Sequence, residues 1–150
     1  MKIRIEFTDD PEEEEVLIRC RKIDDRVRKI EEAVRESSDK CYVFYKNDSE
    51  YYFCIDSILF FETSDKQLFA HTETDLFLSR YKLYELEKLL PLNFIRVSKS
   101  AIINIDKVYS VTRDISGCSV TFFNSMKKIY VSRRYYQAFR TRMQEKRKKI

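Results

Sequence analysis

From Cys41 onward, short runs rich in Tyr, Phe, Ile and Val are separated by small polar clusters. Their alternation of apolar and polar side chains is the pattern of strands with one buried face. It predicts strands near residues 41–46, 51–55, 58–62, 67–72, 75–78, 94–97, 107–112, 118–123 and 127–131. Asn47-Asp48-Ser49, Ser64-Asp65-Lys66 and Asn124-Ser125 read as turns, because short polar side chains bond nearby backbone groups. Two helices interrupt the β pattern. Ser79 is the expected cap of the first, whose Leu83, Leu86 and Leu90 share one face before Pro91 ends it. Ser132 is the expected cap of the second, whose Tyr136, Phe139 and Met143 form a stripe able to pack on a sheet.

The first 40 residues have a different texture. Residues 2–7 alternate as a strand would, Pro11 and the run Glu12-Glu13-Glu14-Glu15 break the pattern, and Val16-Leu17-Ile18 reads as a second short strand. Between residues 21 and 36, Ile23, Val27, Ile30 and Val34 recur at helical spacing and predict an amphipathic helix. The expected organisation is thus a strand and helix element over residues 1–40, followed by a domain over 41–150. The fold class is α+β, mostly antiparallel β with small flanking helices.

Composition adds a core and removes several chemistries. With 43% hydrophobic and 14% aromatic residues, the 150-residue chain has the apolar surface for a real interior. Cys20, Cys41, Cys54 and Cys118 form no C-x-x-C pair and His71 is the only histidine, which disfavours a zinc site or a redox dithiol. There is no G-x-S-x-G, P-loop or H-E-x-x-H pattern, so neither an enzyme nor a cofactor is expected. Asp56, Glu62, Asp65, Glu73 and Asp75 fall at alternating or turn positions that suit solvated surface. No signal peptide or apolar run of about 20 residues is visible, and a soluble cytoplasmic protein is expected.

Charge is informative by its placement. The formal net charge is +4, and residues 131–150 hold eight Lys/Arg against the single Glu145. Lys146-Arg147-Lys148-Lys149 sits where a helix C-terminus favours cations, so helix electrostatics explains that run without a partner. Ser132-Arg133-Arg134 differs, since it puts two guanidinium groups into a first turn that favours negative charge. Two readings stay open there: pairing with surface carboxylates, or cooperation with the backbone amides on a phosphate or guanine edge. Arg96-Val97-Ser98-Lys99-Ser100 is a third basic point, a polar stretch between two apolar ones, equally compatible with a surface turn.

The order of these motifs resembles the LytTR family. Ile58-Leu59-Phe60-Phe61-Glu62 matches its strand ending in Glu, and residues 83–90 match its Leu-rich helix. Phe94-Ile95-Arg96-Val97-Ser98-Lys99-Ser100 with Asn104 and then Tyr130-Val131-Ser132-Arg133-Arg134-Tyr135-Tyr136 follow in the family's order. The resemblance implies an elongated, mostly antiparallel β fold that reads double-stranded DNA by inserting loops into successive major grooves. Carried over position by position, the DNA contacts are Lys66 with Gln67, then Lys99, then Arg134 with Arg133 beside it. Ser98 stands where the family's R-x-H motif has histidine, and Asn124-Ser125-Met126 replaces a common Asn-Gly turn. The implied activity is transcriptional regulation at paired direct repeats, by a homodimer that bends the duplex. About 40 residues leave no room for a phosphoacceptor receiver domain. The implied arrangement is a stand-alone regulator whose N-terminal element serves dimerisation or docking of a membrane-protein inhibitor. An RNA-binding module and, more remotely, a metal-dependent nuclease are the competing readings.

Overall fold

Antiparallel hairpins dominate the chain after residue 40 because three of their connections are two residues long. In a computed structural model that describes residues 2–9, 15–37 and 41–148, β1 (Cys41–Lys46) and β2 (Ser49–Cys54) are joined through Asn47 and Asp48, at φ of 49° and 63°. β3 (Phe60–Ser64) and β4 (Gln67–His71) are joined through Asp65 and Lys66, at 50° and 64°. Positive φ at both central positions is the turn whose twist matches that of the flanking strands. β8 (Val108–Asp114) and β9 (Gly117–Phe122) are joined through Ile115 and Ser116, and Gly117 takes the strained conformation at φ 131°.

With β5 (Leu76–Ser79), β6 (Phe94–Arg96), β7 (Ala101–Asn104) and β10 (Lys128–Val131), the strands form two antiparallel sheets. The larger has the order β2-β1-β5-β4-β3-β7-β6 and the smaller β10-β9-β8. Helix α1 (Asp25–Ser37) precedes β1, α2 (Leu83–Leu89) lies between β5 and β6, and α3 (Arg133–Lys148) follows β10. The chain divides into two compact units, Met1–Asp39 and Lys40–Ile150.

The core of the second unit lies on both faces of the larger sheet. Adjacent residues of β3 point to opposite sides. Phe61 joins Phe44, Phe77, Phe94 and the α2 residues Leu83 and Leu86, while Phe60 joins Val97, Val120, Phe122, Ile129 and Phe139 of α3. Full burial of each such ring contributes roughly 1.5–3 kcal/mol. Asn104, buried at the end of β7, donates to Ile58 O at 3.0 Å and accepts from Asp106 N and Asn93 Nδ2, both at 3.1 Å. No polar atom of its side chain is wasted, as burial requires.

Five expectations need correction. β7 is missing from the strands predicted above. All four of its residues are buried between β3 and β6, so Ala101-Ile102-Ile103 is continuously apolar, Asn104 is buried with its polar atoms bonded, and the run carries no alternation. Residues 2–7 form no strand: none of the paired strands takes them as a neighbour, and Ile3, Ile5 and Phe7 are exposed. Val16-Leu17-Ile18 likewise has no regular structure. Ser79 ends β5 instead of capping α2; its hydroxyl accepts from Tyr81 N at 3.3 Å, and the helix begins after Lys82. α1 starts later than expected because the Asp24 carboxylate accepts from the amides of Arg26 and Val27, both at 3.1 Å, leaving Ile23 outside and exposed.

Candidate nucleic-acid interface

Strand direction brings three distant segments to one end of the second unit. β3 finishes beside the start of β7, with Glu62 opposite Ala101, and β6 finishes there too, with Arg96 opposite Ile102. Two backbone bonds lace the segments together. Thr63 N donates to Ser100 O, joining the β3–β4 hairpin to the loop between β6 and β7, and Ser132 N donates to Val97 O, joining that loop to the head of α3 (both 2.8 Å).

Lys66 sits at the tip of the β3–β4 turn and Gln67 opens β4, both exposed. A lysine at φ 64° has its Cβ crowded against the backbone, which costs on the order of 1 kcal/mol. Glycine would relieve that cost, so the cation is present despite the turn's preference.

The β6–β7 loop is rigid by construction. Val97 is buried and its amide donates to Ala101 O at 3.0 Å, while Ser98 Oγ accepts from Ser100 N at 3.1 Å. Arg96 reaches round the loop: Nε donates to Ser98 O (3.0 Å), Nη2 to Lys99 O (2.8 Å) and Nη1 to Glu87 Oε2 of α2 (2.9 Å). The loop's own carbonyls are thereby tied back to the body, and Lys99 is left exposed at the outer edge.

At the head of α3, the Ser132 carbonyl accepts from Tyr135 N at 3.1 Å. Arg133 and Arg134 are exposed and no acidic residue occupies the first turn. The guanidinium groups of Arg96 and Arg134 lie 5.8 and 5.7 Å from the Tyr135 ring centre, so the ring links the loop to the helix. Among the described residues, neither Lys66, Lys99, Arg133 nor Arg134 forms an ion pair. The alternative of surface carboxylate partners for Arg133 and Arg134 therefore has no partner to name. Unpaired cations around free helix amides make a surface that attracts anions.

The residue that sequence reasoning passed over is Arg96. It was legible only as one more basic side chain, since its carboxylate partner Glu87 lies in α2, which the sequence does not place beside the loop whose carbonyls Arg96 also binds. Part of the C-terminal basic run is structural: Lys146 Nζ donates to Ile105 O at 2.8 Å and Arg142 pairs with Glu145 at 3.6 Å. Among the described residues, no group of three or more His, Cys, Asp or Glu is arranged to hold a metal ion, and no helix is long and apolar enough to cross a membrane.

Comparison with known proteins agrees with this architecture. The family model for the LytTr DNA-binding domain matches residues 48–144. Two Staphylococcus aureus proteins, each named an uncharacterized HTH-type transcriptional regulator, are 29% and 30% identical over 145 residues, covering 95% of this chain and 98% of theirs. A solved LytTr DNA-binding domain from Bacillus cereus superimposes with a TM-score of 0.63 at 24% identity, over 67% of this chain and 94% of that one. The helix-turn-helix of the relatives' name does not describe this topology, in which strands separate the three described helices. With its motifs in order, its two antiparallel sheets and its matched span, the chain belongs to the LytTR family of DNA-binding domains.

Proposed function

We propose that this protein is a bacterial transcriptional regulator that binds paired direct repeats in duplex DNA as a homodimer. The β3–β4 turn, the β6–β7 loop and the head of α3 enter successive major grooves and bend the duplex. The observation that carries this reading is the lacing of three separate basic segments to one end by the Thr63–Ser100 and Ser132–Val97 backbone bonds, with their cations unpaired. Lys66 and Lys99 neutralise phosphates and supply a salt-dependent attraction. Arg134, with Arg133 beside it, reads a guanine edge through its fork of donors, and Gln67 offers an amide to an adenine.

Selection of bound sequences from a random duplex pool, repeated at several salt concentrations, tests the reading. Two spaced repeats are expected, and Arg134→Ala should lose preference at one base pair of each, by about 1–3 kcal/mol. A steep salt effect with no consensus would reduce the protein to a nonspecific binder.

Residues 1–40 serve as the dimerisation element or as the docking element for a membrane-protein inhibitor. The support is the buried Val27 on α1 with Ile30 and Val34 half-buried along the same stripe, and the exposed Ile3, Ile5 and Phe7. Unchanged oligomeric state and unchanged inhibitor response after removal of these residues would sink this assignment.

A further inference from the structure

The β8–β9 turn lies at the DNA-facing end, although no motif drew attention to it. Val131, the last residue of β10, pairs with Cys118 of β9, and Cys118 pairs with Arg113 of β8. The turn between Asp114 and Gly117 therefore projects beyond the strands on the side where α3 begins. Arg113 confirms the placement: its guanidinium lies 4.7 Å from the ring centre of Tyr136 in α3.

The turn is stiff. Asp114 Oδ1 accepts from Ser116 N at 2.8 Å and also from the Ser116 hydroxyl. Bonds from Ser116 and from Gly117 N hold the Asp114 carboxyl below the usual carboxylate range, so it stays ionised. On this braced tip Ile115 is wholly exposed, at 108%. Neither the hairpin nor the core needs an isoleucine there. The tip also offers no free cation, since Arg113 is turned onto Tyr136 and a carboxylate stands directly behind Ile115. Such an element suits the floor of a groove and not the phosphate backbone.

We propose that the β8–β9 tip is a further DNA-reading element, in which Ile115 packs against the methyl group of a thymine in the major groove that receives the head of α3. The spacing permits this. β8 lies two strands from β10, about 10 Å, whereas the major groove is about 12 Å wide. An apolar side chain against the thymine methyl discriminates that base from cytosine without a hydrogen bond.

The inference rests on the DNA-binding reading, and the test separates the two. In the operator recovered by selection, each thymine is replaced singly by deoxyuridine, which removes only the methyl. Full-length wild type and Ile115→Ala are then compared. One position in each repeat should cost wild type about fourfold in affinity, the equivalent of one buried methyl group, and cost Ile115→Ala nothing. Its salt dependence should match that of wild type, because an apolar contact releases no counterions. Deoxyuridine effects that are identical in both proteins, or an Ile115→Ala that binds as wild type does, would overturn the role of Ile115 while leaving the Arg134 result standing. Failure of wild type to select any operator would bring down both.

Discussion

Replacing Arg96 by Met should weaken operator binding without altering its salt dependence. The substitution keeps an apolar stem but deletes the donors to Ser98 O and Lys99 O and to Glu87. A bond from a charged donor contributes about 1.5–3 kcal/mol when buried. Here both carbonyls gain water once the guanidinium is gone, since Lys99 is exposed and Ser98 half-buried, so each of the two bonds contributes only half the lower end, about 0.75 kcal/mol. The Glu87 pair adds under about 1 kcal/mol, its carboxylate being 48% exposed. A net of about 2 kcal/mol then has to be supplied on binding to order the loop, which lowers affinity roughly 30-fold. Arg96→Lys should not rescue it, because an ammonium cannot span the two carbonyls as the planar fork does. The assay is equilibrium binding to the selected operator across a salt series, with Lys99→Ala as comparison. Lys99→Ala should flatten the salt slope by about one phosphate contact. An Arg96→Met slope that flattens by as much would show that Arg96 touches the DNA itself, and unchanged affinity would show that the loop is held by other means.

Two further outcomes follow from local strain and burial. Lys66→Gly removes a side chain from φ 64°, and should stabilise the fold by about 1 kcal/mol while weakening DNA binding. Thermal unfolding beside operator binding checks both halves, and unchanged affinity would remove the turn from the interface. His71 stacks on Phe60 with ring centres 4.2 Å apart and has its Nδ1 buried without a partner. Burial, helped by the nearby Lys127 charge, pushes its pKa from 6.5 down to about 4. Glu62, 4.0 Å away and partly exposed, is too distant to reverse this. The unfolded chain therefore binds the extra proton between those values, and the stability due to neutral His71 is complete above pH 6.5 and lost as pH falls toward 4. The loss amounts to about 3 kcal/mol at most. Denaturant unfolding from pH 7 to pH 4 should show this fall in wild type and not in His71→Phe, and parallel curves would refute the assignment.

The half-buried strands were legible because alternation is their physical requirement, and the two tight turns at Asn47-Asp48 and Asp65-Lys66 because polar side chains tolerate positive φ. β7 escaped for the opposite reason: covered on both faces, it has no polar side to announce it. Residues 2–7 show the converse error, since alternation licenses a strand only when another strand is there to receive its hydrogen bonds. The misplaced cap at Ser79 has a similar origin: a hydroxyl serves a strand end as readily as a helix start, and Tyr81 N claims it. At the candidate site, Lys66, Lys99, Arg133 and Arg134 were identified through motif order, and their proximity was not. That proximity depends on which strand ends lie together, a property of the sheet order and not of any local stretch.

The bonds lacing Thr63 to Ser100 and Ser132 to Val97 run from main chain to main chain. The framework is therefore chemically independent of the side chains at positions 67, 99, 133 and 134, which can be exchanged while the lacing persists, whereas position 66, at φ 64°, is restricted by its backbone. On the proposed DNA-reading role, operator preference changes by a few surface replacements at those positions while the framework keeps its stability. A library that varies the four positions together and leaves the interior untouched puts that proposed role to use.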